Sequence, residues 1–138
     1  CSKWGGHFAL KGVVSVEDAK RAVDIGCTGI MVSNHGGRQL DGSCSPFDQI
    51  SEIVDAVGDK IDVICEGGIQ RGTHVLKALS AGAKACSGGR LYLYALAAAG
   101  EEGVSRALGQ MRLEIERGMK LMGCKSVKQL SRSNLRYR

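Results

Sequence analysis

Short apolar runs and amphipathic stretches alternate along the whole chain. Residues 7–14 (HFALKGVV), 28–34 (TGIMVSN), 61–68 (IDVICEGG) and 83–89 (AKACSGG) read as strands. Their apolar positions are too continuous for strands with one wet face, so they are expected to be buried on both sides. Between them apolar residues recur at helical spacing. In SVEDAKRAVDIG the stripe is Val16, Ala19, Ala22, Val23 and Ile25; Ser15 with Asp18 three residues on is placed to cap, and Gly26 closes the helix. FDQISEIVDAVG carries Ile50, Ile53, Val54 and Val57 behind Pro46, and RGTHVLKALSAG (71–82) forms a third helix. The fourth strand leads into RLYLYALAAAG and then one long amphipathic helix over residues 101–124.

Four successive βα units predict a parallel sheet with right-handed crossovers, either doubly wound or a (β/α)8 barrel. A barrel needs roughly 250 residues, so 138 would supply about half of one. The polar residues cluster where strands end: Lys11, then 33–38, 66–71 and 88–90. Barrel enzymes build their sites at that face, with phosphate held after the last two strands. The expected class is therefore α/β: the last four βα units, or C-terminal half, of a TIM barrel, followed by a long C-terminal helix. Residues 1–138 would be a partial domain. Alone it would expose two unpaired parallel edges, so the rest of the barrel is expected in the same polypeptide. A first residue of Cys1 rather than methionine fits that expectation.

Composition is ordinary for a globular domain, and no apolar run reaches about 18 residues, so the chain is expected to be cytoplasmic or peripheral at the inner face of a membrane. The chain carries a net charge of +5, and the basic excess gathers towards the tail SRSNLRYR, with three arginines and no acid, which reads as a solvated segment. With 4% aromatic residues there are few platforms for bases, so no nucleic-acid partner is expected. The six cysteines form no CxxC pair, so no metal site is expected, and Cys65 and Cys86 read as small hydrophobes.

The chemistry concentrates in three turns. EGGIQRG and SGGR let backbone N–H groups approach an anion, each opens a helix, and Arg71 and Arg90 add bidentate donors. They are read as a phosphate site or, taken singly, as tight turns. In SNHGGRQLDG, His35 can take and return a proton, while Arg38 offers a planar fork to a carboxylate. The alternative is a core histidine and a surface Arg38–Asp41 pair. Lys11 is either a surface amine or a cation facing the site.

LKGV, VSNHGGRQLDG, EGGIQRGTHVLKAL, GRLYLYALAAAG and MGCKSVKQLSRSNL resemble, in order and spacing, the C-terminal half of the FMN-dependent α-hydroxy acid dehydrogenases and oxidases. That family includes L-lactate dehydrogenase, glycolate oxidase and mandelate dehydrogenase. The resemblance implies a barrel with FMN across its mouth. It makes His35 the base, Arg38 the carboxylate ligand, and Lys11 and Ser33 flavin contacts. Glu66, Gly67, Gly68, Gln70, Gly89 and Arg90 then hold the ribityl chain and phosphate. The implied reaction takes an (S)-2-hydroxy acid, L-lactate-like, to the 2-oxo acid, with oxygen, a quinone or a cytochrome as electron acceptor and a homo-oligomeric full-length protein. A non-flavin barrel isomerase or lyase, or an inactive truncated fragment, is the alternative. Two positions depart from the family pattern. Glu66 replaces an aspartate, and Gln70 replaces a phosphate-binding arginine. A charged hydrogen bond is worth about 1 kcal/mol more than a neutral one, so FMN is expected to be held less tightly.

Overall fold

A computed structural model describes residues 1–137; Arg138, the end of the basic tail, lies outside the described residues. The chain runs β1 (Ala9–Val13), α1 (Val16–Asp24), β2 (Gly29–Val32), α2 (Pro46–Val57), β3 (Asp62–Glu66), α3 (Gly72–Ser80), β4 (Ala85–Ser87) and α4 (Arg90–Leu121). The strands form one sheet in the order β1-β2-β3-β4, and every neighbouring pair is parallel. The βα rhythm of the sequence is thus the architecture of the molecule, an α/β arrangement on a four-stranded parallel sheet consistent with a piece of a (β/α)8 barrel.

Helix starts follow local chemistry. Ser15 accepts a hydrogen bond from the Asp18 N–H at 3.1 Å, and Glu17 and Asp18 place negative charge at the positive end of α1. Ser45 does the same for Asp48 ahead of Pro46, which sits in the first turn of α2, where its missing N–H costs nothing. The long final helix is not continuous: Ala99 and Gly100 leave helical geometry, Gly100 with φ 58°, so α4 is two segments meeting at a bend.

Alternate residues of the strands divide the sheet into two unlike faces. Ile30 and Val32 of β2 and Val63 and Cys65 of β3 are buried against the helices, together with Ile50, Ile53 and Val57 of α2 and Ala19 and Ala22 of α1. The opposite row runs Lys11, Met31, Ile64 and Ala85 across the four strands, and none of these is fully buried. Helices cover one face only. Both outer strands, β1 and β4, have an unpaired side.

Two expectations are corrected and a third is refined. Ile25 is 62% exposed rather than part of the α1 stripe, because it is the C-cap and has left the helix. Lys11 lies inside β1 rather than at its end. The described tail residues are exposed except Leu135, as a solvated segment should be, but the tail is tied down at two points: Arg132 forms a two-pronged pair with Asp55 of α2 at 2.6 and 3.0 Å and donates to the Ser51 carbonyl, while Leu135 packs on the core. Among the described residues no helix is long and apolar enough to cross a membrane.

Candidate active site

The C-terminal ends of the strands surround an open cavity of about 540 Å³. Lys11, His35, Arg38, Glu66, Gly67, Gly68, Gln70, Gly89 and Arg90 all line it. These are nine of the eleven residues singled out from the sequence. Ser33 is buried just behind the wall, and Arg71 is turned elsewhere.

Lys11 reaches the cavity by the length of its side chain. Its Nζ donates to Glu66 Oε2 at 2.9 Å and to Ser33 Oγ at 3.0 Å, and the Ser33 hydroxyl donates to the same carboxylate. Burial alone would raise the Glu66 pKa. The hydrogen bonds from Ser33 and Lys11, with the charges of Lys11 and His35, overcome it and hold the carboxyl below its ordinary value. A carboxylate is thus shared between β1 and β2 from the end of β3.

The turn after β2 is held by its own polar atoms. Ser33 Oγ accepts from the His35 N–H, and Asn34 Oδ1 accepts from the Gly36 N–H, each at 3.0 Å. His35, Gly36 and Gly37 follow one another at φ 56°, 68° and 75°. Left-handed backbone costs a non-glycine residue roughly 1–2 kcal/mol, a strain that folds tolerate where a side chain must be aimed. The ring so aimed lies over Gly12: a Cβ there would stand 2.7 Å from His35 Cε1. Gly12 is therefore the seat of the imidazole, which its place inside an apolar strand did not reveal. Arg38 is exposed at the rim and forms no ion pair with Asp41 among the described residues.

The two glycine turns differ. After β4, Gly89 leads α4 with no side chain capping the helix, so its first N–H groups remain available to a ligand. Arg90 extends from there to the Gly36 carbonyl at 3.2 Å, and a Cβ on Gly36 would collide with its guanidinium. After β3, the first N–H of α3 already has an anion. Glu114, from the second segment of α4, accepts from the Gly72 N–H at 2.8 Å and from Arg71 Nε at 2.8 and 3.0 Å. Arg71's hydrogen bonds, followed by that of Gly72, hold the Glu114 carboxyl down at about 2. Arg71 thus closes a helix–helix joint, and the cavity's arginines are Arg38 and Arg90. Behind the wall, burial pushes the Cys65 thiol up to about 11 and the Cys86 thiol to about 12, consistent with inert core sulfur.

One end of this cavity offers free amides, glycines and Arg90 to an anion; the other sets a titratable imidazole and a guanidinium beside the Lys11–Glu66 ion pair. Among the described residues no group of three or more His, Cys, Asp or Glu is placed to hold a metal.

Known proteins are similar to this chain along nearly its whole length. The profile of the FMN-dependent dehydrogenases matches residues 1–137. The chain is 47% identical to the L-lactate dehydrogenase of Caulobacter sp. (strain K31), covering 96% of this chain and 35% of that one. It is 46% identical to the pre-mycofactocin synthase of Mycobacterium tuberculosis (strain H37Rv), covering 96% and 33%. It superposes on a mandelate oxidase with benzoyl-formic acid at a TM-score of 0.87 and 48% identity, covering 91% of this chain and 38% of that one. The chain spans about a third of the length of the curated relatives it matches.

Proposed function

Given that the chain belongs to the FMN-dependent dehydrogenase family, we propose that it is the C-terminal half of a (β/α)8 barrel that oxidises an (S)-2-hydroxy acid, L-lactate or a near analogue, to the 2-oxo acid. The observation that carries the reading is convergence: His35, Arg38, Lys11, Arg90 and both glycine turns meet in one cavity although they come from four different βα units.

The residues present fit FMN. Gly89 has nothing nearer to a Cβ position than Glu66 Oε1 at 3.9 Å, so a phosphate can approach the open end of α4, where Arg90 adds a charge. Gly67, Gly68 and Gln70 flank the path from there to Lys11. FMN, when bound, accepts the two electrons that leave the substrate. Arg38 takes the substrate carboxylate in a two-pronged grip, and so fixes the hydroxyl-bearing carbon near the imidazole. His35 removes a proton from that centre, either the hydroxyl proton or the Cα proton. Its left-handed backbone and its seat on Gly12 keep the ring in one direction, so no reorientation is needed at the moment of transfer.

The unpaired sides of β1 and β4 and the uncovered row Lys11–Met31–Ile64–Ala85 support a second half supplied by the same polypeptide. Residues 1–138 alone are then inactive and hold FMN at well under full occupancy, as absorbance of the purified segment would report.

In the full-length enzyme His35→Ala lowers kcat by about 10²–10⁴-fold while flavin stays bound. Arg38→Lys raises KM for the 2-hydroxy acid by about tenfold, since a point charge cannot replace the fork. Steady-state turnover with flavin content measured on the same samples decides it; normal turnover in either variant removes the assigned role.

A further inference from the structure

His74 stands in the first turn of α3, half-buried, with Nδ1 2.9 Å from the Gly68 carbonyl oxygen and 3.2 Å from the Gln70 nitrogen. One ring nitrogen faces an acceptor and a donor, and it cannot serve both. Without a proton, Nδ1 accepts from the Gln70 N–H. With a proton on Nδ1, in the other neutral tautomer or in the imidazolium, it donates to the Gly68 carbonyl and releases that N–H. The turn it grips runs through Gly67 and Gly68 at φ 128° and 72°, conformations open to glycine, and Gly67, Gly68 and Gln70 all line the cavity.

We propose that His74 couples anion binding on this turn to a proton. The imidazolium alone combines the two: it sets a positive charge beside the turn while its Nδ1–H holds the Gly68 carbonyl and leaves the Gln70 N–H free to donate to an anion. Gln70 itself brings no charge, so the imidazolium supplies what the turn lacks. Binding of a phosphate monoester, FMN on the reading above, therefore takes up a proton at His74 and weakens as the imidazole loses it. The charged groups of the elements around the ring are paired with one exception among the described residues, Lys77, whose like charge works against the imidazolium. On its own turn and helix these are Arg71 and Lys77. From α4 comes Glu114, which Arg71 neutralises; from β3 comes Glu66, which Lys11 neutralises; and from the docked tail comes Arg132, which Asp55 neutralises. His74 is a positioning residue: it acts on the ligand through the turn and makes no part of the proton transfer at His35. The proposal rests on the flavin reading for the identity of its ligand, not for its chemistry.

Two measurements on the full-length protein test it. Flavin is stripped and titrated back by fluorescence quenching from about pH 5 to about pH 8, as FMN and as riboflavin. His74→Asn keeps an acceptor near the place of Nδ1 but does not titrate. Relative to that variant, wild type loses FMN affinity with rising pH by up to about tenfold per pH unit, the slope of one linked proton. Riboflavin, lacking the phosphate, shows no difference between the two. In parallel, the His74 ring is followed by NMR with ¹³C-labelled histidine, and its titration midpoint moves up on adding inorganic phosphate. Identical FMN profiles in wild type and His74→Asn, or an unmoved midpoint, overturn the proposal. Failure to bind either flavin with the midpoint still shifted overturns the flavin reading and supports the proton link.

Discussion

The turn after β3 and the turn after β4 look alike as sequence: two glycines, an arginine, then a helix. Both line the cavity, but the helix starts behind them differ. After β4 the helix start is uncapped and Arg90 lies across the cavity mouth onto Gly36. After β3 the helix start is filled by Glu114, and Arg71 faces α4. The difference lies in where each arginine sits. Arg71 is the N-cap, outside the helix, within reach of a carboxylate packed on α3; Arg90 is the first residue inside its helix and faces the cavity. A glycine–arginine pattern thus marks a place where an anion can bind, and the neighbouring helix decides whether a protein carboxylate already fills it.

The contrast is sharpest where one substitution affects binding and another stability. Arg90→Met should weaken FMN binding in the full-length enzyme by about 10–100-fold, the loss of a charge-assisted hydrogen bond, with the denaturation midpoint little changed. Fluorescence titration of the stripped protein measures the first and a urea transition the second. Equal losses in both would mean that Arg90 also serves as structure, and the two turns would differ less than their geometry indicates.

Gly72→Ala should do the reverse. A Cβ at Gly72 would lie 2.5 Å from Glu114 Cβ, 2.7 Å from the Ile115 nitrogen and 2.8 Å from the Met111 carbonyl oxygen, two of them backbone atoms that cannot swing aside. Overpacking of that kind costs about 1–3 kcal/mol. The urea midpoint should fall accordingly while FMN affinity at the open turn holds. Gly89→Ala is the control, because Gly89 has ordinary negative φ and open space, so the fold should accept it.

Much of this was legible in the sequence, for a reason that also bounds it. Hydrophobic periodicity and turn residues are local signals, and they located the strands, the helices and nine of the cavity residues. What escaped were pairings across distance: Arg71 with Glu114, 43 positions away, and Arg132 with Asp55, 77 away. Charges on amphipathic helices look interchangeable until packing selects one. Gly12 and His74 escaped differently. Each sits in an element that reads as structural, and each matters because of the one atom it faces, His35 Cε1 for the first and the Gly68 carbonyl for the second. Gln70 was visible as a departure from the family pattern, and the structure shows that Arg71, engaged by Glu114, is not free to replace the charge. Gln70→Arg should therefore tighten FMN by about fivefold, the margin of a charged over a neutral hydrogen bond; unchanged or weaker binding would count against that reasoning.

The smallest effect belongs to the closed turn's own anion, and pH separates it from everything else. Glu114 has its carboxyl pKa held down at about 2, first by Arg71 and then by the Gly72 N–H, against about 4.3 for a glutamate in an unfolded chain. A lowered folded-state pKa means that the unfolded chain binds the proton first as pH falls. The pair's contribution is therefore fully present above about pH 4.3 and fades as pH falls towards about 2. Glu114→Gln keeps an oxygen for the Gly72 N–H but loses the charge that Arg71 grips. Arg71 is 64% exposed at the joint, so solvent screening should make the loss at neutral pH modest. The variant's urea midpoint should lie slightly below wild type at pH 7 and converge with it near pH 2, whereas FMN affinity at neutral pH should not move. A gap that stayed constant down to low pH would show that the substitution disturbs packing between α3 and α4 rather than the charge. A loss of FMN affinity would show that Glu114's hold on the start of α3 also shapes the Gly67–Gln70 stretch that lines the cavity.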